Sequence, residues 1–392
     1  MSGDVQRQQN DKMWFLQFLR AVACLLIVYV HWLTFILNPG SVNEFVYQTK
    51  LPAYEASAGV ITYATAVGKI LPFDFREVYF GLALFFLISG FIIPVSLEKG
   101  SKVNYVVRRI ARILPTAFVC TIITSLVMLA GIYVEGSSVA PFSVVAVLAN
   151  ALLVRDMLGQ PFIDTAIWTL EIEVHFYIIC FVISFFSGQK KAWVILSLPA
   201  LFFLASLALT YSTGPYEIYR RYLNVIAING SFLGVMFVGM ALYNFSTGNW
   251  SVLKTAIMVF VLLVLNNLTL QNYASSTFTI IYANHVSAVL VFIRLMLLGD
   301  RVPYFKLMDK LAEISYPLYL LHGGCGYTIF YMVYKSTHNT SVSLFASFVA
   351  VSSLTYIVHW TIERPSTPVG KRVAGFFDRQ AALRHKPDGA IA

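Results

Sequence analysis

Charge is scarce in this sequence: Asp, Glu, Lys and Arg make up 12% of its 392 residues, whereas 58% are hydrophobic. A typical soluble domain carries roughly 25% charged residues, and one of this size needs far more polar surface to cover its core. A soluble globular fold is excluded on that ground. Cysteine is scarce as well. Cys24, Cys120, Cys180 and Cys325 lie far apart inside apolar segments, without the spacing of a zinc site or a disulfide framework. They read as packing residues, and no metal site is expected. No internal repeat is visible, and no motif for glycosyl transfer is present. No cleavable signal is expected either, because the first apolar run follows a leader carrying both charge signs and is too long for an h-region. The net charge of +9 would suit a nucleic-acid partner, but the basic residues sit in short loops between apolar runs. No nucleic acid is expected.

What the sequence has in abundance is long apolar runs. They cover 14–37, 78–97, 113–134, 140–154, 166–187, 192–210, 223–243, 252–270, 277–298, 313–334 and 341–362. Most approach the ~20 residues that a helix needs to cross a bilayer. The fourth is too short and suits an interfacial or re-entrant piece. Loop charge decides the matter, because Lys and Arg collect on the cytoplasmic side. With 140–154 not crossing and the N-terminus inside, 19 Lys/Arg fall inside and 7 outside; with it crossing, 11 fall inside and 15 outside. The expected fold is an all-α integral membrane protein of about ten transmembrane helices plus that short segment, with both termini cytoplasmic. Residues 1–13 form a cytoplasmic leader and 14–365 the membrane domain, with a sizeable external loop at 38–77. Residues 366–392 are expected as a basic, partly disordered cytoplasmic tail whose charge suits anionic headgroups.

Ionisable residues at membrane depth are costly and mark functional sites. The first run holds Arg20 and His31. Eleven positions turn a helix by about 1100°, roughly 20° from three full turns, and lift it by about 16 Å. Both side chains therefore point along one face at two depths, too far apart to form a dyad. Each also has a plainer reading: Arg20 snorkelling to the inner interface, His31 bonded to a neighbouring helix. Ser89-Gly90 in the second run permits close approach of a backbone or a ligand. The loop beyond it brings Lys99, Lys102, Arg108, Arg109 and Arg112, a positive-inside signal that would equally hold phosphates. The stretch from Trp168 to Tyr177 places Glu171, Glu173 and His175 near the outer end of a span. Glu171 and His175 are four apart and are expected to pair. Glu173 points about 160° away from His175 and needs another partner; a desolvated Glu without a cation suits proton transfer. His322 and the His359/Glu363 pair come late in the chain, and polar glue between helices is the alternative reading of each.

These residues also carry a resemblance. Arg20 to His31, Phe85-Phe86 to Ser89-Gly90-Phe91, Tyr105 to Arg108-Arg109, Arg112 and Pro115, Trp168 to Glu173 and Phe176-Tyr177, Ser315-Tyr316 through Tyr319 to His322, and Glu363-Arg364-Pro365 follow one another in that order. Together they resemble the acyltransferase-3 family of membrane-bound O-acyltransferases over roughly residues 14 to 365. The chain departs from the family at Ala83, where an Asp is frequent, at Tyr105, where Phe is usual, and at Val174-His175. The extra C-terminal hydrolase-like domain of some relatives is not expected here.

The resemblance implies a ten-helix membrane domain and an enzyme of the cell (inner or plasma) membrane. It implies transfer of an acyl group, most simply acetyl from acetyl-CoA, to a hydroxyl of a glycan or other sugar-containing acceptor. No bound cofactor is implied; acetyl-CoA or another acyl-CoA is the donor substrate. His31 would then act as general base or as a nucleophile forming an acyl-imidazole, with Arg20 on the donor's path. Arg108, Arg109 and Arg112 would hold the donor's phosphates, and Glu173, on the outer side, would orient the acceptor or take its proton. Ser89, Gly90, Trp168, His175, His322 and Glu363 would support them. The rival expectation is a multi-pass transporter or flippase for a glycan or lipid-linked precursor, for which buried Arg, His and Glu are equally natural. Against it, the sequence lacks broken helices paired in two similar halves.

Overall fold

The computed structural model describes residues 2–37, 75–98, 100–134, 136, 142–164, 166–186, 188–211, 217–273 and 277–384. Most of the external loop expected at 38–77 lies outside them. The described residues form helices and no strand. Among the described residues, nine helices are long and apolar enough to cross a membrane. They include α1 (Ser2–Leu37), α2 (Glu77–Glu98) and α3 (Lys102–Val134). The short fourth run becomes α4 (Val144–Ala151), followed by a one-turn helix at Arg155–Leu158. Eight residues rise about 12 Å, far less than the ~30 Å of a hydrocarbon core. This piece does not cross. Ser143 starts it by accepting the Ala146 N–H at 3.1 Å, which satisfies one orphan donor of the first turn.

Next come α5 (Ile167–Ser184), α6 (Ala192–Tyr211), α7 (Glu217–Ser246), α8 (Val252–Tyr273) and α9 (Phe278–Leu298). The run at 313–334 is not one helix. It is split into α10 (Lys306–Leu321) and α11 (Gly324–Thr337), with His322 and Gly323 at the break. Both halves pack on α3 and on α12 (Thr340–Val358) while scarcely touching each other. The chain thus runs on across the membrane instead of doubling back, and this broken helix supplies the tenth crossing. From α12 the chain passes through a π-helical turn, His359–Glu363, into α13 (Arg364–Arg384).

Two contacts place the elements that carry the site. A Cβ at Gly90 would lie 1.9 Å from the Met236 carbonyl oxygen, and one at Gly239 would lie 2.4 Å from that of Leu87. Only glycine at both positions lets α2 and α7 cross backbone to backbone, and the crossing fixes the neighbouring Ser89. The close approach expected at Ser89-Gly90 is thus a helix. The second contact docks α13 on α3, where Asp378 accepts from Asn104 Nδ2 at 2.6 Å and from the Ser101 hydroxyl. The stretch expected as a tail is therefore helical as far as Arg384, and residues beyond it lie outside the described part.

Candidate active site

A cavity of about 670 Å³ opens between α1, α2, α3, α5, α10 and the π turn. Its charged lining is Arg20, Arg112, Glu173, Glu313, Glu363 and Arg364. Gln17, Arg364, Thr367 and Pro368 mark its end nearest the basic loops. Arg20 makes one long hydrogen bond, 3.4 Å to Gln17 Oε1, and no ion pair with a described residue. Such a guanidinium retains most of its donors for a guest. Glu363 is paired with His359 at 2.7 Å, and the Arg364 guanidinium lies over the Trp360 ring at 4.0 Å. Arg364 N–H bonds back to the His359 carbonyl, the wide π turn. That turn brings His359, Trp360, Glu363 and Arg364 onto the cavity together.

Glu173 also lines this cavity. Its Oε1 accepts from Ser89 Oγ at 2.7 Å and from the Tyr177 hydroxyl. It therefore faces the chamber that holds Arg20, not a separate outer site, because α5 turns this face toward α1 and α2. The three arginines expected to hold the donor's phosphates are divided. Arg112 lines the cavity. Arg109 stands one layer behind, its guanidinium over the Tyr177 ring at 5.2 Å and donating to Ser96. Arg108 does not line the cavity, and its buried Nε has no partner.

His31 lies beyond the inner end of the chamber and does not line it. Its Nδ1 is 2.7 Å from Nε2 of His322, and the rings lie nearly parallel, with 7° between planes and centroids 4.9 Å apart. His322 Nδ1 is in turn 2.7 Å from the Tyr319 carbonyl oxygen. A carbonyl only accepts, so Nδ1 of His322 carries the hydrogen and its Nε2 is the acceptor. That assigns the hydrogen on His31 to Nδ1 and leaves Nε2 of His31 as a bare lone pair. The plainer reading of His31, a contact to a neighbouring helix, and the catalytic one thus describe the same bond.

Asp164 secures the break that holds His322. Its two carboxylate oxygens accept the Ala166 and Gly324 N–H groups, both at 2.8 Å. A Cβ at Gly323 would lie 2.6 Å from Asp164 Oδ1, so the break needs glycine there. Trp32 Nε1 donates to the His322 carbonyl at 2.9 Å and ties α1 to the same spot. Burial pushes the Asp164 carboxyl up to about 6, although its two backbone donors act in the opposite direction.

At the outer end the expected pairing changes partners. Glu171 is fully buried and binds Arg155 at 2.5 Å, besides accepting the Asp156 N–H at 3.1 Å. It does not pair with His175. Asn229 Nδ2 donates to His175 Nδ1 at 3.1 Å, and Asp156 Oδ2 lies 3.8 Å from the other ring nitrogen. The physical reason is the re-entrant segment, whose Arg155 offers Glu171 a charge-assisted, two-nitrogen contact stronger than an i,i+4 imidazole. Trp168 packs on Phe232 with centroids 5.0 Å apart.

Sequence reasoning missed Asp164, Arg155 and the pairing of Thr169 with Tyr319. The run Gly323-Gly324-Cys325-Gly326 was the one signal that could have located the break. A family model described as an acyltransferase domain, of the acyltransferase-3 type, matches residues 13–364. No curated protein and no solved structure matches the chain.

Proposed function

The chain belongs to the acyltransferase-3 family and is a membrane-bound acyltransferase, and from that premise we propose that it moves acetyl from acetyl-CoA to a glycan hydroxyl. The observation that carries the reading is a chamber bearing Arg20 and Arg112 whose lining residue Tyr319 packs on His322, the partner of His31. Guanidinium groups suit the anionic phosphates of a coenzyme A donor. An imidazole with one nitrogen bare and the other tied suits general-base work.

In this reading acyl-CoA enters from the side of the basic loops, and Arg20 and Arg112 hold its phosphates. Arg109, through Tyr177, steadies Glu173. The acceptor arrives at the opposite end. Its hydroxyl oxygen attacks the thioester carbonyl carbon while Nε2 of His31 takes the hydroxyl proton. The C–S bond then breaks, the proton passes from His31 to sulfur, and the products are an ester and free coenzyme A. His322 keeps Nδ1 of His31 protonated and thereby keeps Nε2 available. The same nitrogen suits direct attack through an acyl-imidazole. A burst of coenzyme A in the absence of acceptor marks that route.

The test is release of coenzyme A from acetyl-CoA by protein purified in lipid nanodiscs, with glucosyl and N-acetylglucosaminyl oligosaccharides as acceptors. His31→Ala is expected to lower the rate by about 10²- to 10⁴-fold. Near wild-type acylation by a correctly inserted His31→Ala protein would sink the mechanism. The broken helix keeps a transporter as the second reading, since such helices are common in transporters. Movement of glycan into sealed vesicles with no coenzyme A release would decide for it.

A further inference from the structure

Thr169 and Tyr319 form the part of the chamber's inner wall that faces the histidine pair. Thr169 Oγ1 and the Tyr319 hydroxyl both line the chamber and lie 2.7 Å apart. The Thr169 hydroxyl already gives its hydrogen to the Ala166 carbonyl at 2.9 Å. The Tyr319 hydroxyl is therefore the donor of the shared bond and Thr169 the acceptor. A buried hydroxyl tied this way is costly to release, and Phe85 meets the Tyr319 ring edge-on at 5.7 Å. The ring is fixed from two sides. Behind it lies His322, with ring centroids 5.5 Å apart, and then His31.

We infer that the Thr169–Tyr319 pair measures the acyl group and restricts the enzyme to short acyl donors. The inference rests on the proposed acyl-CoA reading of the chamber. A thioester must lie at this inner end for its carbonyl to meet a hydroxyl held by His31. Its acyl tail then occupies the corner closed by Thr169, Tyr319 and Phe85. One methylene in a tight apolar pocket changes specificity by about 10- to 200-fold, so a fixed wall there rejects chains that a loose one would admit. Thr169 comes from α5 and Tyr319 from α10, so the wall depends on how two helices meet and not on one flexible side chain.

The experiment compares kcat/KM for acetyl-, butyryl- and hexanoyl-CoA at a fixed oligosaccharide acceptor in the wild type, Tyr319→Phe, Tyr319→Ala and Thr169→Val. The wild type is expected to favour acetyl over hexanoyl by more than tenfold. Tyr319→Ala should lower that ratio at least tenfold. Tyr319→Phe and Thr169→Val, which keep the ring but untie it, should lower it by less. Ratios are taken within each protein, so a general loss of rate does not enter, and the two mild variants carry the test if the alanine variant does not fold. Acetyl turnover with an unchanged chain-length ratio in the folded variants overturns this inference alone. Absence of coenzyme A release from every donor by the wild type overturns the donor reading and this inference with it.

Discussion

Arg20 and His31 leave α1 on nearly one face, yet each meets a different environment. Arg20 opens onto the charged chamber, while His31 is bonded to His322 beside Tyr319. Their spacing of three turns sets them at two depths on one helix. An arginine with a single weak partner loses little stability on removal, so its loss should appear in binding. We predict that Arg20→Ala raises KM for acetyl-CoA by about 10- to 100-fold, the worth of a charge-assisted hydrogen bond of ~1.5–3 kcal/mol. Arg20→Lys should recover part of it, because a lysine keeps the charge without the fork. An unchanged KM in a steady-state titration would remove Arg20 from the donor path. The two-depth geometry was legible because helical periodicity is fixed. The His31–His322 bond was not, since 291 positions separate the partners and only tertiary packing brings them together.

At the scale of elements, the broken helix sets where His322 sits. Hydropathy reads 313–334 as one span because glycines and a histidine barely interrupt an apolar run. The break itself depends on Asp164, which is remote in sequence and lies in the turn that precedes α5. Its two oxygens each take one N–H, and an asparagine offers only one acceptor oxygen. Asp164→Asn should therefore destabilise the protein by about 1–3 kcal/mol, the cost of an unsatisfied buried donor, read as a lowered thermal midpoint in detergent.

The same site predicts a pH trend. The Asp164 carboxyl is raised from 3.8 to about 6 in the folded protein, so between these values the native state binds more proton than the unfolded one. Its contribution is fully present below about 4 and falls as pH rises through about 6. The gap in midpoint between wild type and Asp164→Asn should thus narrow from pH 4.5 to pH 7.5. A gap that widens would refute the assignment. The charge-assisted Arg155–Glu171 pair shows the same lesson: an i,i+4 rule holds within a helix until another element brings a stronger partner.

For the whole molecule, composition and loop charge carried most of the architecture. Among the described residues, nine helices long enough to span and one broken one match the ten crossings expected, and the re-entrant α4 is too short to add another. What loop charge could not convey is the fate of the C-terminal segment, because its basic residues read as solvated tail whether or not a helix forms. Its docking on α3 rests on a few specific contacts, Asp378 with Asn104 and Gly370 against Ala111, which no periodicity encodes.

The orientation itself can be checked directly. All four native cysteines are buried, which keeps the background for thiol labelling low. Asn249 follows α7 on the side of the basic loops, and Ser336 closes α11 on the opposite side; both are exposed. With both termini cytoplasmic, Ser336→Cys should react with a membrane-impermeant maleimide in intact cells, and Asn249→Cys only after permeabilisation. The reverse pattern would turn the molecule over. It would also place the mouth of the arginine-lined chamber on the outside, where acyl-CoA is not made available to it, so this labelling tests the donor's route as well as the fold.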